Sequence, residues 1–504
     1  MSIEVTPELQ QQAEQVVARA RQTFRSGRTK AISFRKTQLR ALYRFMTEQE
    51  AAIKQALYDD LHKSDAEAQL MELDTVMSDI ADHVENLDKW TKPQPTQKGM
   101  AFLLDKTEIV YEPYGVVLII GAWNYPFQLT LWPLLGAIAA GNCAVLKPSE
   151  VAGHTSELLE KELPQYLDKD CFHVVAGDAR ITTALLQQRF DYIFYTGSSQ
   201  VGKVVLQAAA KHITPVTLEL GGKGPCIVDS DCDITVVARR ILFGKFLNAG
   251  QTCIAPDYVL CDHETQDKLV EAMRAPLVEF YGKNPKESQH FGRIVNKRHF
   301  ERVKKLLDSN KVVIGGETDE ETLYIAPTIL ANVSPDDDIM KEENEVFGPL
   351  LPIVPVAGKE EAIEFVNSRE KPLAMYAFSN NKQFGQDLID QTSSGQFCFN
   401  DTLIHAAVPS LPFGGVGHSG MGAYHGKFTF ETFSHKRAVM LRTMKDEWLQ
   451  GKLRYPPLTP KKVAWMQRFL KKNLRDEKRS WWSMLLVLLI GAGMAFFVMT
   501  CLHM

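Results

Sequence analysis

The sequence predicts an α/β protein with two successive parallel-sheet regions, set between an all-helical N-terminus and an apolar C-terminal segment. Three observations predict it. Short continuous apolar runs recur from Gly115 onward: Val116–Ile120, Cys143–Leu146, Phe172–Val175, Tyr192–Tyr195 and Val216–Leu220. Runs without polar alternation mark strands buried on both faces. Helix-like segments separate the runs, as parallel strands require for their crossovers. The same alternation resumes at Pro225–Val228 and continues to about Asn400.

Taken in order, residues 5–92 read as helices. Thr6 is the expected N-cap, with Glu8 and Gln10 in the first turn. The apolar pattern runs through Leu39, Leu42, Phe45 and Met46. A polar loop from Lys92 to Lys98 interrupts it before a short strand near Thr107–Tyr111. After Tyr195, Val201, Val204, Val205 and Ala208 fall at helical spacing. In the second region Pro225–Val228 and Asp257–Cys261 read as strands, Thr235–Leu247 and Leu269–Tyr281 as helices. No repeat of 20–50 residues is visible. The stretch after Gly420 is rich in aromatics (Tyr424, Phe428, Phe430, Phe433) and reads as an arm packing on another subunit or domain. Residues 452–462 read as a proline-stiffened linker. A helical pattern follows, with Trp465, Phe469 and Leu470 apolar and Lys471, Lys472, Arg475 and Lys478 polar.

The net charge of −4 gives no general basic field, so nucleic acid is not an expected partner. None of the eight cysteines forms a CxxC pair, and no Cys/His cluster has zinc-like spacing, so no metal site is expected. Reduced thiols in a cytosolic setting are the expectation. The N-terminus has early acids and no apolar core, unlike a signal or transit peptide. The C-terminus differs from the rest. Ser483 to Leu502 is 20 residues without a charge, flanked by Trp481 and Trp482 and preceded by Lys471, Lys472, Arg475, Lys478 and Arg479. That length suits one crossing of a bilayer, with the basic side in the cytosol. The bland reading is a buried core helix, for which the run is long.

Four segments carry candidate chemistry. Cys253 follows Gly250-Gln-Thr and could be a nucleophile; a cysteine seen alone is more often a small buried hydrophobe. Glu219 ends an apolar strand before two glycines, where the ligand crevice of an open α/β sheet lies; a solvated strand-end acid is the alternative. Asn124, in Gly121-Ala-Trp-Asn-Tyr-Pro, could donate to an oxyanion or simply make a turn. Gly197-Ser-Ser-Gln-Val-Gly202 joins a strand to a helix, where backbone can approach a phosphate. A literal G-x-G-x-x-G, Gly415 to Gly420, has no strand before it and reads as a close-packed turn.

Together the runs GAWNYPF, GNCAVLKPSE, YTGSSQVG, LELGGK, GQTCIAPD, EVFGP and PFGGVGHSGMG, in this order and spacing, resemble the aldehyde dehydrogenase superfamily over about residues 15–445. The short N-terminus, IFYTG, FGGVGHSGMGAYHGK and the apolar tail are most similar to class 3, the fatty aldehyde dehydrogenase branch. The resemblance implies oxidation of aldehydes, medium- to long-chain aliphatic ones, to carboxylic acids with NAD, NADP being the alternative. It implies Cys253 as nucleophile, Glu219 as general base and Asn124 as oxyanion-binding amide. It places Lys147 and Glu150 near the adenosine ribose, Gly197, Ser198, Val201 and Gly202 in the dinucleotide loop, and Glu345 and Phe347 near the nicotinamide ribose and ring. It implies a Rossmann-type NAD domain of residues 1–92 and 114–218, a catalytic domain of 219–400, and an oligomerisation arm of 93–113 and 401–445, in a homodimer. A linker and amphipathic helix (446–480) and a transmembrane anchor (481–502) complete this reading, with the enzyme in the cytosol and the endoplasmic reticulum as the expected membrane.

Two departures stand out. Glu342-Glu-Asn-Glu345-Val-Phe347 holds extra residues, which puts in question which glutamate meets the cofactor. Gln396-Phe-Cys-Phe-Asn400 carries aromatic bulk expected to alter the substrate tunnel. A CoA-acylating relative and a catalytically idle membrane scaffold are the rival readings.

Overall fold

The computed structural model describes residues 4–444 and 447–471. These fall into two compact units: residues up to 92 with 111–437, and 93–110 with the described residues from 438 on.

The first unit opens with the helix Pro7–Arg25, whose Leu9 amide donates to the Thr6 hydroxyl at 3.4 Å. Ile32–Glu48 follows and buries Leu39, Leu42, Phe45 and Met46, the stripe that its sequence period predicts. These helices lead into a six-stranded sheet. Its order is Gly420–Met421, Val216–Glu219, Tyr192–Thr196, Val116–Ile120, Cys143–Lys147, Phe172–Val174. All neighbours are parallel except the first pair. Every residue of Val116–Ile120, one of the inner strands, is buried. Each such side chain contributes about 1.5–3 kcal/mol over its exposed state, so this strand anchors the sheet.

A seven-stranded sheet follows in the order Val312–Ile314, Thr328–Leu330, Leu350–Pro355, Tyr258–Cys261, Pro225–Val228, Ala374–Phe378, Gln396–Phe399. Only the Val312–Ile314 edge is antiparallel. In the edge strand Gln396–Phe399 the side chains alternate. Phe397 and Phe399 pack on the second core around Tyr258 and Met375, while Cys398 packs on the first. The aromatic bulk read from the sequence as shaping a tunnel is therefore core packing.

Two further readings change. In the helix Ser199–Ala210, Val201 and Val204 are exposed and Gly202, Val205 and Ala209 are buried, because the glycine face lies against Leu218 and Leu220. Of the aromatics after Gly420, Tyr424, Phe430 and Phe433 belong to the first unit's own core. Phe433 stacks on Phe194 at 5.8 Å, and Tyr424 meets the same ring edge-on at 5.1 Å. Gly415 to Gly420 is the close-packed turn expected: a Cβ at Gly420 would lie 2.1 Å from the Leu218 carbonyl oxygen.

In the second unit Gln94–Pro95 pairs antiparallel with Glu108–Ile109. Arg442 grips Asp105 through two bonds of 2.8 and 2.7 Å. The helix Pro460–Leu470 starts at Thr459 and leaves Trp465 and Leu470 exposed. Among the described residues no helix is long and apolar enough to cross a membrane. The expected anchor, 481–502, lies outside them.

Candidate active site

Parallel strands end on one edge, and the register shows which residues meet there. Ile120 pairs with Lys147 and with Tyr195, and Thr196 pairs with Glu219. The turns to Asn124 and to Gly197 therefore leave the sheet beside Lys147 and Glu219. This carboxyl edge is where open α/β sheets bind ligands.

The chain reaches Cys253 through a strained turn. Asn248 and Ala249 are left-handed, with φ of 52° and 51°, before Gly250 at 77°. Left-handed backbone costs an ordinary residue about 1–2 kcal/mol. A Cβ at Gly250 would stand 2.2 Å from the Gly348 carbonyl oxygen, so only glycine fits. The strain is held by polar contacts. The Asn248 amide donates to the backbone carbonyls of Asn124 at 2.8 Å and Gln251 at 3.2 Å. Buried Gln251 donates to the Asn248 and Arg293 carbonyls at 3.0 and 2.9 Å and accepts from the Val295 amide at 3.0 Å.

Asn124 is tied to the same turn. Its side-chain amide donates to the Gln251 carbonyl at 3.0 Å, two residues before Cys253. The neighbouring Tyr125 hydroxyl shares a 2.8 Å bond with Thr252. Cys253 itself is half-buried. Burial pushes its thiol up to about 12, with the fields of Glu345 and Glu219 adding to the shift. Glu219 is buried, and neither of its carboxylate oxygens has a protein hydrogen-bond partner. Burial raises its pKa well above the usual carboxylate range, making it a weaker acid.

Of the glutamates in the 342–345 run, the structure brings Glu345 to the site. Its carboxylate packs on Gly221, where a Cβ would lie 2.3 Å from Oε2. Burial, then the charge of Asp257, pushes it up to about 7. Glu342 instead pairs with Arg369 at 2.9 Å. Phe347 follows with a left-handed φ of 40° and meets Trp123 edge-on at 5.3 Å. Residues that the sequence did not single out hold this loop. Arg302 donates to the carbonyls of Glu345 and Val346, each at 2.8 Å, and of Phe347 at 3.3 Å. Asp257 accepts from the Val346 amide at 2.8 Å and pairs with buried Lys223. Lys223 also donates to the Ile339 and Asn344 carbonyls at 2.8 and 3.1 Å.

The groups on the other side of the edge fit a dinucleotide. Ser198 caps the helix Ser199–Ala210 by accepting from the Val201 amide, and the remaining first-turn amides suit an anion. Gly197 packs on the Tyr195 hydroxyl, and its amide donates to the Glu219 carbonyl at 3.0 Å. Gly202 is buried at the first turn of that helix. The buried Lys147 ammonium donates to the Pro148 carbonyl at 2.6 Å and to Glu150 at 3.0 Å, and the Glu150 carboxylate is half-exposed. The Thr196 hydroxyl is buried without a protein partner.

Known proteins resemble this chain in sequence and fold. The family model described as "Aldehyde dehydrogenase family" matches residues 2–439. "Aldehyde dehydrogenase family 3 member A2" of Rattus norvegicus is 53% identical over 460 residues, 91% of this chain and 94% of that protein. A second Rattus norvegicus protein, "Aldehyde dehydrogenase, dimeric NADP-preferring", is 52% identical over 88% of this chain and 97% of its own length. The solved structure of Staphylococcus aureus AldH in a substrate-bound state superposes with a TM-score of 0.88 at 43% identity, covering 91% of this chain and 99% of that one. With the family model spanning most of the chain and relatives above half identical, this chain belongs to the aldehyde dehydrogenase family.

Proposed function

We propose that the protein oxidises medium- to long-chain aliphatic aldehydes to carboxylic acids, using NAD or NADP, as a homodimer anchored in a membrane by its C-terminal tail. One observation carries the chemical part. The Asn124 amide is fixed to the turn that presents Cys253, and an unpartnered buried carboxylate, Glu219, lies at the same sheet edge. The uncharged run Ser483 to Leu502 supports the tail anchor and an aldehyde that partitions into lipid, and the endoplasmic reticulum is the membrane expected by default for an anchor of this kind. The word "dimeric" in the name of a relative supports the homodimer.

In this reading the Cys253 sulfur attacks the aldehyde carbon after its proton leaves. Glu219, made more basic by burial, is an acceptor whose field reaches the thiol. The aldehyde oxygen becomes an oxyanion, which the free N–H of the Asn124 side chain and a backbone amide near Cys253 stabilise. A bound nicotinamide supplies the hydride acceptor. Glu345, Phe347, Lys147, Glu150 and the turn Gly197 to Gly202 would hold that cofactor. Once the thiol proton has passed from Glu219 to solvent, the resulting thioester on Cys253 is hydrolysed by water that Glu219 deprotonates, releasing the acid and freeing the sulfur. A buried base beside the thioester supports water as acceptor over CoA.

Glu219→Gln tests the assignment. Mixed with aldehyde and cofactor, this variant is expected to stall at or before deacylation, with mass spectrometry of the Cys253 peptide showing at which of the two steps. Wild-type steady-state turnover in the variant would remove Glu219 from the role.

A further inference from the structure

Lys63 and Glu72 carry opposite charges with 0% side-chain exposure. Taking both out of water is costly, and such a pair is weak grounds for stability by itself. What the pair holds is therefore informative. His62, left-handed at φ 53°, ends the helix Glu50–Leu61 and turns the chain so that Lys63 enters the core. Glu72 comes from a π-helical turn, Gln69–Leu73, a wide local geometry that is frequent at functional sites.

Their partners lie on the Asn124 turn. Lys63 Nζ donates to Glu72 Oε1 at 2.6 Å and to the backbone carbonyl of Asn124 at 2.9 Å. It also lies 3.8 Å from the centre of the Tyr125 ring. Glu72 Oε2 accepts from the amides of Phe127 and Gln128 at 3.1 and 3.0 Å. Amides at a helix start have no intrahelical acceptor, so Glu72 also caps Gln128–Ala140. The cation grips the first residue of the turn and the carboxylate grips the last two.

We propose that the buried Lys63–Glu72 ion pair positions the Asn124 side chain, fixing the turn 124–128 so that the free amide N–H faces the oxygen of an aldehyde bound at Cys253. This rests on the roles given to Asn124 and Cys253 above. Lys63 and Glu72 touch no reacting atom; they are positioning residues. Displacing a reacting geometry by about 1 Å can cost roughly 10²-fold in rate, so the pair acts on the chemical step and not on cofactor binding.

The test is a double-mutant cycle on the full-length chain in detergent. Lys63→Met/Glu72→Gln removes both charges together and keeps an oxygen acceptor for the two amides. The single-turnover rate of NAD(P)H formation and the cofactor Kd are measured for this variant with and without Asn124→Ala. The expected result is a roughly 10- to 100-fold slower single turnover at unchanged cofactor Kd, with under about twofold further loss once Asn124 is already alanine. A wild-type rate, or the same loss in both backgrounds, overturns the proposal while leaving the Cys253 reading intact. If the wild type itself gives no single turnover, the underlying reading fails and this one with it. Should the charge-free pair not fold, Lys63→Arg, which keeps the charge and moves the donors, enters the same cycle with the same outcomes.

Discussion

Cys253 and Glu219 are poor acids for one shared reason, loss of water around the charged form. Glu345 deepens the effect on the thiol, which gives a test. Glu345→Gln removes a negative charge, lowers the thiol value and exposes more thiolate at pH 8. Alkylation of the Cys253 peptide by iodoacetamide is expected to run severalfold faster in the variant; an equal or slower rate would contradict this. Because Glu345 in the wild type takes up a proton as pH falls through about 7, the gap closes on acidification. Asn124→Ala is expected to lower kcat by roughly 10²–10³ while cofactor Kd stays unchanged, and a pure affinity loss would refute its oxyanion role. Cys253, Glu219 and Asn124 each stand near a glycine or proline turn, which drew notice to them, but only the ordered set of motif runs around them assigned them roles. Gln251, Arg302, Lys63 and Glu72 were not. Their partners are distant in sequence, and in a helical segment a buried Lys or Glu reads as an ordinary solvated charge.

Among the elements, the strands were the most legible, since five uninterrupted apolar residues such as Val116–Ile120 leave little other use for the segment. Helix faces were less so. Val201 and Val204 look like core by spacing, yet close approach at Gly202 sets the buried side. The aromatic segment after Gly420 was read as an arm because the composition of a sticky strip does not reveal which surface it covers. The loop 341–348 makes an element-scale prediction. One guanidinium ties three of its carbonyls, and charged hydrogen bonds contribute about 1.5–3 kcal/mol each. Arg302→Ala should loosen Glu345 and Phe347 together and raise cofactor Kd by about tenfold or more. Equilibrium titration of cofactor fluorescence checks this, and an unchanged Kd would remove the loop from cofactor binding.

For the whole molecule, the two sheets, their order and the site at one carboxyl edge make the enzyme, and the proposed tail anchor makes a prediction of its own. A chain ended after Thr459 is expected to leave carbonate-washed membranes while the full-length chain stays with them. The truncated form should keep turnover on short aldehydes and lose preference for long ones. Retention of the truncated chain in the washed membranes would refute the tail anchor without touching the chemistry. The most direct measurement is NAD(P)H formation by purified full-length protein with matched short and long aliphatic aldehydes, beside Cys253→Ala. The expected result is turnover strongest on long chains and abolished in Cys253→Ala. No turnover with either cofactor, or wild-type turnover in Cys253→Ala, would contradict a cysteine-based aldehyde oxidation at this site.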